Sequence, residues 1–188
     1  LIGPTGAGKT TLALHLAARS AAALSLGGDV TAVKHFPASD FARQYAEAVA
    51  ADDLEPLRQS IDDTPVLVID DLHEIAGKQA AQEELSIRLE RRVAAAKPTI
   101  IASKRLPSET RGIRPQLASR CVIGLTVPVE LPAGPTRKAL LHEIAAARNV
   151  DLNDELIGLL DAGLRTELPA TALDSAVKQV ELYCRMQD

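Results

Sequence analysis

Gly3, Gly8, Lys9 and Thr10 in "LIGPTGAGKTT" fill the pattern G-x-x-x-x-G-K-[ST]. That spacing makes a phosphate cradle, because glycines let the backbone curl until successive N–H groups converge on one anion. The residues offered to a nucleotide are Gly3, Pro4, Thr5, Gly6, Ala7, Gly8, Lys9, Thr10 and Thr11. Lys9 brings a point charge for the β- and γ-phosphates, and Thr10 a hydroxyl for Mg²⁺. A second acidic centre closes the apolar run "PVLVIDD" (65–71). Asp70 falls where a phosphate-loop protein keeps its Mg²⁺-associated carboxylate. Asp71 falls where many carry the acid that orients or deprotonates an attacking water. Glutamate is more usual there, and the shorter aspartate would place water differently. The expected cofactors are nucleotide phosphates, ATP or ADP, with Mg²⁺; the chemistry these groups allow is transfer of the terminal phosphoryl, to water or to another acceptor.

These groups need elements that bring them together. "TTLALHLAARSAAAL" reads as a helix whose N-terminus faces the phosphates. Leu1 and Ile2 read as the end of the preceding strand, so the natural chain is expected to begin upstream. "DVTAVKHF" (29–36) alternates like a strand, and "SDFARQYAEAVAA" follows as a helix capped by Ser39 and Asp40. "LEPLRQSI" gives a second short helix. "PVLVIDD" has the composition of a central parallel strand buried on both faces, which puts its acids at the ligand-binding carboxyl edge. A long helix is expected over 78–96, a strand at "PTIIAS" (98–103), a short helix at "IRPQLASR" and a strand at "CVIGLTV" (121–127). "PVELPAGP" (128–135) reads as a hinge. Helical spacing follows over 136–148, 152–162 and 171–185. The expected division is a nucleotide-binding α/β part over 1–129 and a helical lid over 130–188.

Composition narrows the partners. The chain has 188 residues, 46% apolar but only 2% aromatic, so its core must be aliphatic and rich in alanine. A net charge of −4 gives no global nucleic-acid footprint. Cys121 and Cys184 lack metal or redox spacing and suggest reduced, cytoplasmic thiols. No apolar run approaches the ~20 residues of a membrane span. His15, His35, His73 and His142 are scattered without metal-like spacing. The basic run "RLERR" (88–92) sits on a helix rich in glutamate and reads as making i,i+4 pairs, with a DNA patch as the lesser alternative.

Three stretches go beyond general phosphate-loop grammar. "VLVIDDLHEIAGKQAAQEEL" resembles the second acid motif of the bacterial replication-initiator family DnaA. "SDFARQYAEAVAADDLEPLR" resembles that clade's helical insert, and "LASRCVIGL" its S-R box. The resemblance implies an α/β, P-loop AAA+ ATPase fold, with a five-stranded parallel sheet and a three-helix lid. It implies a cytoplasmic, nucleoid-associated protein whose ATP-bound copies assemble into a filament on origin DNA, with slow hydrolysis as the off-switch. By this resemblance Arg120 is the arginine finger reaching the next copy's γ-phosphate, with Arg114 as competitor. An arginine given in trans is worth about 10³–10⁵ in turnover. DNA contact is expected mainly from regions outside this chain and weakly through Lys78. Partners could include a replicative helicase or sliding-clamp-linked regulators.

Departures from the family pattern support a second reading. Lys104 stands at the polar sensor position after Ser103, where it either faces the phosphates or, as favoured here, points outward. Thr171 replaces the lid arginine, with Arg165 the nearest substitute. Ala80 and Ala81 replace polar or basic positions after Lys78. The alternative is a related regulator or helicase loader that binds nucleotide and a partner ATPase but hydrolyses weakly.

Overall fold

A computed structural model describes residues 1–24 and 32–187. In chain order the elements are α1 (Lys9–Ala23), β1 (Val33–Pro37), α2 (Ala38–Ala50), α3 (Glu55–Asp62), β2 (Val66–Asp70), α4 (Gln79–Ala94), β3 (Thr99–Ile101), α5 (Pro115–Cys121), α6 (Gly134–Ala147), α7 (Asp154–Gly163) and α8 (Ala170–Gln187). Residues 29–31 of the strand expected over 29–36 lie outside the described residues. Contacts divide the chain into two units. One joins Leu1–Gly3 to Lys9–Pro128, and the other joins Pro4–Gly8 to the chain from Val129 onward.

The first unit is built on a parallel sheet in the order β1-β2-β3. β2 is buried along its whole length, and its side chains alternate between two cores. Leu67 and Ile69 join Phe36, Phe41, Ile61, Leu85 and Leu117 among α2 to α5. Val66 and Val68 meet Ala13, Ala17 and Ala21, the small face that lets α1 lie close to the sheet. Each buried Val, Leu or Ile of β2 contributes roughly 1.5–3 kcal/mol. The two phenylalanines pack edge to face, with ring centroids 6.4 Å apart.

Five strands were expected, whereas three form among the described residues. The two further sheet positions are single parallel bridges from Ile2, one to Ser103 and one to Pro128. "CVIGLTV" is not a strand: Cys121 ends α5, and only the Val127 carbonyl accepts a bond, from the Ile2 N–H. Leu1 and Ile2 offer too few rungs for a ladder, so Ile123 and Leu125 remain exposed. The expected cap of α2 also differs. Pro37 occupies the cap position with no side-chain bond, and Ser39 and Asp40 lie inside the first turn. There Asp40 opposes the positive end of the helix dipole.

The run 88–92 is partly built into the core. Arg88 and Arg92 are buried. Arg92 donates to the Thr99 hydroxyl (2.8 Å) and to the carbonyls of Ile61 (2.7 Å), Thr64 (2.7 Å), Pro65 (3.1 Å) and Pro98 (2.7 Å). One side chain thus ties the end of α3 and the entries to β2 and β3 to α4. Burial pushes its pKa down to about 10. Arg58 grips both oxygens of buried Glu84 at 2.9 Å, and Arg88 Nη1 meets Asp62 at 2.6 Å, so α3 is held to α4 by charge-assisted bonds. The expected i,i+4 pairing survives in Arg88–Glu84, at 3.1 Å.

In the second unit Leu141, Ala145, Ile157, Leu173 and Val177 form one core among α6, α7 and α8. The Asn153 side chain caps α7 by accepting the Leu156 N–H. Arg137 pairs with Asp161 and donates to the Arg165 and Thr166 carbonyls, while Arg148 clasps Asp174. Among the described residues no helix is long and apolar enough to cross a membrane.

Candidate functional site

Three neighbouring chain ends meet at the carboxyl edge of the sheet. β2 ends in Asp70. Beside it, Ala102 donates to the Ile69 carbonyl and accepts from Leu72 N–H. Next to that segment, Ser103 donates to the Leu1 carbonyl at 3.0 Å and accepts from Gly3 N–H at 3.2 Å. Gly3, Ser103 and the Asp70 strand therefore lie side by side, at the edge where ligands of parallel sheets bind.

From Gly3 the chain enters the loop and then α1, which starts at Lys9. Lys9 is buried, while Thr10 and Thr11 are exposed. Gly8 has φ +86°, a conformation that L side chains rarely adopt. Gly6 is left-handed too, at φ +81°, and a Cβ there would fall 2.2 Å from Cβ of Pro169. Its carbonyl accepts the Ala170 N–H at 3.1 Å. The motif leaves this position unspecified, yet the local geometry demands glycine. Pro4, Thr5 and Ala7 complete the loop, with Ala7 N–H donating to Pro4 at 3.4 Å.

Asp70 is buried; one oxygen accepts the Asp71 N–H at 2.9 Å, and the other lies 3.5 Å from His35 Nε2. Asp71 adopts φ 49°, ψ 48°, left-handed for a non-glycine residue. Such strain costs on the order of 1 kcal/mol or more and persists where surroundings enforce it. Here the 3-10 turn Leu72–Ile75 follows at once, and Glu74 N–H closes it on the Asp71 carbonyl at 2.8 Å. The bend sends the two adjacent carboxylates into different settings: Asp70 buried, Asp71 half exposed and 3.7 Å from His73. Two histidines read from sequence as scattered therefore flank the acids. Among the described residues no group of His, Cys, Asp and Glu is arranged to hold a metal without further ligands.

Ser103 is buried and its hydroxyl has no hydrogen-bond partner among the described residues. A buried hydroxyl left open beside Gly3 is suited to a group that arrives with a ligand. Lys104 is exposed, the orientation favoured from sequence. Thr171 is exposed in the first turn of α8, and Arg165 is exposed with its carbonyl held by Arg137.

Arg120 comes from a different element. It sits in the last turn of α5, with its guanidinium 3.1 Å from Glu90 of α4. Arg114, at the other end of α5, pairs with Glu83 at 3.1 Å, and its N–H donates to the Gln82 side chain at 2.7 Å. Buried Gln82, which sequence reasoning passed over, also donates to the Ile75 and Gly112 carbonyls. It fixes the approach to α5. Lys78 is exposed at the start of α4 beside a groove lined by Tyr45, Val49, Ala80 and Ala81, so that surface is largely apolar.

The profile of the bacterial DnaA ATPase domain matches residues 1–128. The chromosomal replication initiator protein DnaA of Bordetella pertussis is 32% identical over 188 aligned residues, which cover 98% of this chain and 38% of that protein. The DnaA of Aliarcobacter butzleri is 29% identical over 181 residues, covering 96% and 38%. The chain thus spans under two fifths of the length of these relatives. A solved replication initiator DnaA bound to AMPPCP and single-stranded DNA superposes with TM-score 0.82 at 26% identity, over 96% of this chain and 54% of that one. Domain III of the Thermotoga maritima DnaA superposes with TM-score 0.86 at 21% identity, over 99% and 75%, a likeness of fold. On the profile match and the Bordetella identity together, this chain belongs to the bacterial DnaA ATPase-domain family.

Proposed function

We propose that this chain is the ATP-binding domain of a DnaA-type replication initiator, which assembles with copies of itself on origin DNA when ATP is bound and is switched off by slow hydrolysis. One observation carries the reading: Gly3 at the entry to the phosphate motif, the open Ser103 hydroxyl and the Asp70 strand end lie on adjacent chain segments at one sheet edge. The similar initiator solved with AMPPCP supports a nucleotide here. Residues 1–129 act as the nucleotide-binding part and 130–188 as the lid.

Loop N–H groups of Thr5, Gly6 and Gly8 and the N-terminus of α1 cradle the phosphates, and Lys9 holds the β- and γ-oxygens. Thr10 and Asp70 form an all-oxygen donor set of the kind a hard divalent cation accepts. Bound there, Mg²⁺ would supply charge neutralisation at the phosphate oxygens. Asp71, turned out of the strand by its left-handed backbone, orients the attacking water and takes its proton. Arg120 of one copy meets the γ-phosphate held by the next, so hydrolysis and assembly depend on each other. DNA is held mainly by parts of the protein outside this chain and weakly by Lys78. A replicative helicase and sliding-clamp-linked regulators are the partner classes, and the setting is the cytoplasm at the nucleoid.

Lys9→Ala tests the cradle. Nucleotide binding should be abolished, read by titration with a fluorescent ATP analogue, while the far-UV CD spectrum is kept. Unchanged affinity would refute the assignment. A second reading, a nucleotide-binding regulator or helicase loader with weak hydrolysis, is favoured by exposed Lys104 and by Thr171, whose hydroxyl cannot replace a delocalised cation. ATP-dependent self-assembly of the isolated protein would exclude it.

A further inference from the structure

Both arginines that could serve a neighbouring copy are occupied within their own chain. Arg120 Nη2 lies 3.1 Å from Glu90 Oε2, and Arg114 Nη1 lies 3.1 Å from Glu83 Oε2. The two glutamates are seven residues apart, two turns along α4, and so point the same way. The two arginines stand at opposite ends of α5. Between the pairs lies a groove of about 410 Å³ lined by Ser86, Ile87, Gln116 and Ser119. Nothing in α4–α5 packing requires glutamate at either place: the buried contacts are made by Leu85, Leu89, Leu117 and Ala118, while the Glu90 and Glu83 side chains are 61% and 66% exposed.

We propose that Glu90 is an internal placeholder for the phosphate, holding Arg120 on the α4–α5 face until a nucleotide-bearing copy displaces it. This deepens the reading of Arg120 as the residue that meets the next copy's nucleotide, and rests on it. A carboxylate and a γ-phosphate compete for the same planar donor fork, so only one can hold it at a time. The pair is exposed, and exposed pairs are weak and screened by salt. A triphosphate, with more charge and more acceptor oxygens, can therefore take the arginine over. Glu90 thus raises the protein concentration at which copies join without touching the nucleotide itself.

The test compares Glu90→Gln, Glu83→Gln, Arg120→Ala and the double variant Glu90→Gln/Arg120→Ala, by sedimentation velocity over a protein dilution series with ATP and Mg²⁺. Glu90→Gln should assemble at about two- to fivefold lower concentration than the parent, the range an exposed pair allows. The gain should shrink as salt rises, and ATP affinity of the single copy should not change. Glu83→Gln is the matched control and should leave assembly where it was. The double variant should show no gain, because the restraint acts only through Arg120. Assembly of Glu90→Gln that is unchanged or weaker, while Arg120→Ala abolishes assembly, overturns the placeholder and leaves the finger standing. Weaker assembly would mean that Glu90 positions the arginine instead. A gain that persists in the double variant, or appears in Glu83→Gln alone, also overturns it. Assembly that survives Arg120→Ala removes the finger reading and this proposal with it.

Discussion

Arg92→Met removes a guanidinium while keeping most of the aliphatic stem, and its cost can be worked from the contacts. Five donated hydrogen bonds are lost, to Thr99 and to the carbonyls of Ile61, Thr64, Pro65 and Pro98. Bonds from a charged donor contribute about 1.5 kcal/mol each at the low end, roughly 7 kcal/mol together. Against this, the charge no longer has to be buried. The burial that drives the Arg92 pKa down to about 10 from an ordinary 12.5 corresponds to about 3 kcal/mol. The net loss is about 4 kcal/mol, within the range for breaking a buried charged network and a large share of the stability of an ordinary domain. Urea unfolding followed by far-UV CD suits a chain without tryptophan. With a slope of about 2 kcal/mol/M, the midpoint of the first unit should fall by about 2 M. Arg92→Lys, which keeps the charge but not the fork, should lose roughly half as much. A methionine variant within about 1 kcal/mol of the parent would refute the reasoning, since it would mean that water satisfies the abandoned carbonyls. Nucleotide affinity should weaken alongside, because Pro65 and Pro98 lead into the strands that end at Asp70 and Ser103.

Arg120→Ala should abolish ATP-dependent assembly, seen as a loss of large species on size-exclusion chromatography in ATP, while one copy still binds ATP. Assembly that persists would pass the role to Arg114. Burial pushes the Cys121 thiol up to about 12, so it stays protonated at pH 8. Iodoacetamide should therefore label exposed Cys184 first, and mass spectrometry showing equal labelling would contradict the burial of Cys121. The hydrogen bond from Arg58 holds the Glu84 carboxyl below its usual range. A carboxylate depressed by folding stabilises above its unfolded pKa, and that contribution is lost as pH falls through the folded value. Stability should thus drop on acidification below about pH 4.5, and Glu84→Gln should flatten that slope.

Much of this architecture was legible because its signals are local. The motif from Gly3 to Thr10 marks its own loop, and "VLVID" is apolar enough that only a strand buried on both faces accommodates it. The three helices that follow residue 130 were placed within about two residues of their ends by apolar spacing alone. What was not legible depends on pairing or on polar groups inside the core. "CVIGLTV" has strand composition, but a strand needs a neighbour, and Ile2 alone supplies one rung on that side. Gln82 and Arg92 were passed over because polar residues read as solvent-facing. Yet Gln82, Leu85, Leu89 and Arg92 recur at three and four residues, and so share the buried stripe of α4. Period should have outweighed polarity there. The left-handed turn at Asp71 and the histidines beside the acids carry no sequence signature, since they arise from where β1 ends relative to β2.

α4 bears two loads at neighbouring positions. Arg92 clamps its final turn to carbonyls on both sides of the sheet entries, and Glu90, two residues earlier, presents the carboxylate that holds Arg120. With five anchors so near, that turn can neither rotate nor slide without giving up all of them together. On the proposed reading, the face offered to an adjoining copy is consequently a fixed jig, and side-chain hand-over, not helix travel, is the movement left for passing a message between copies.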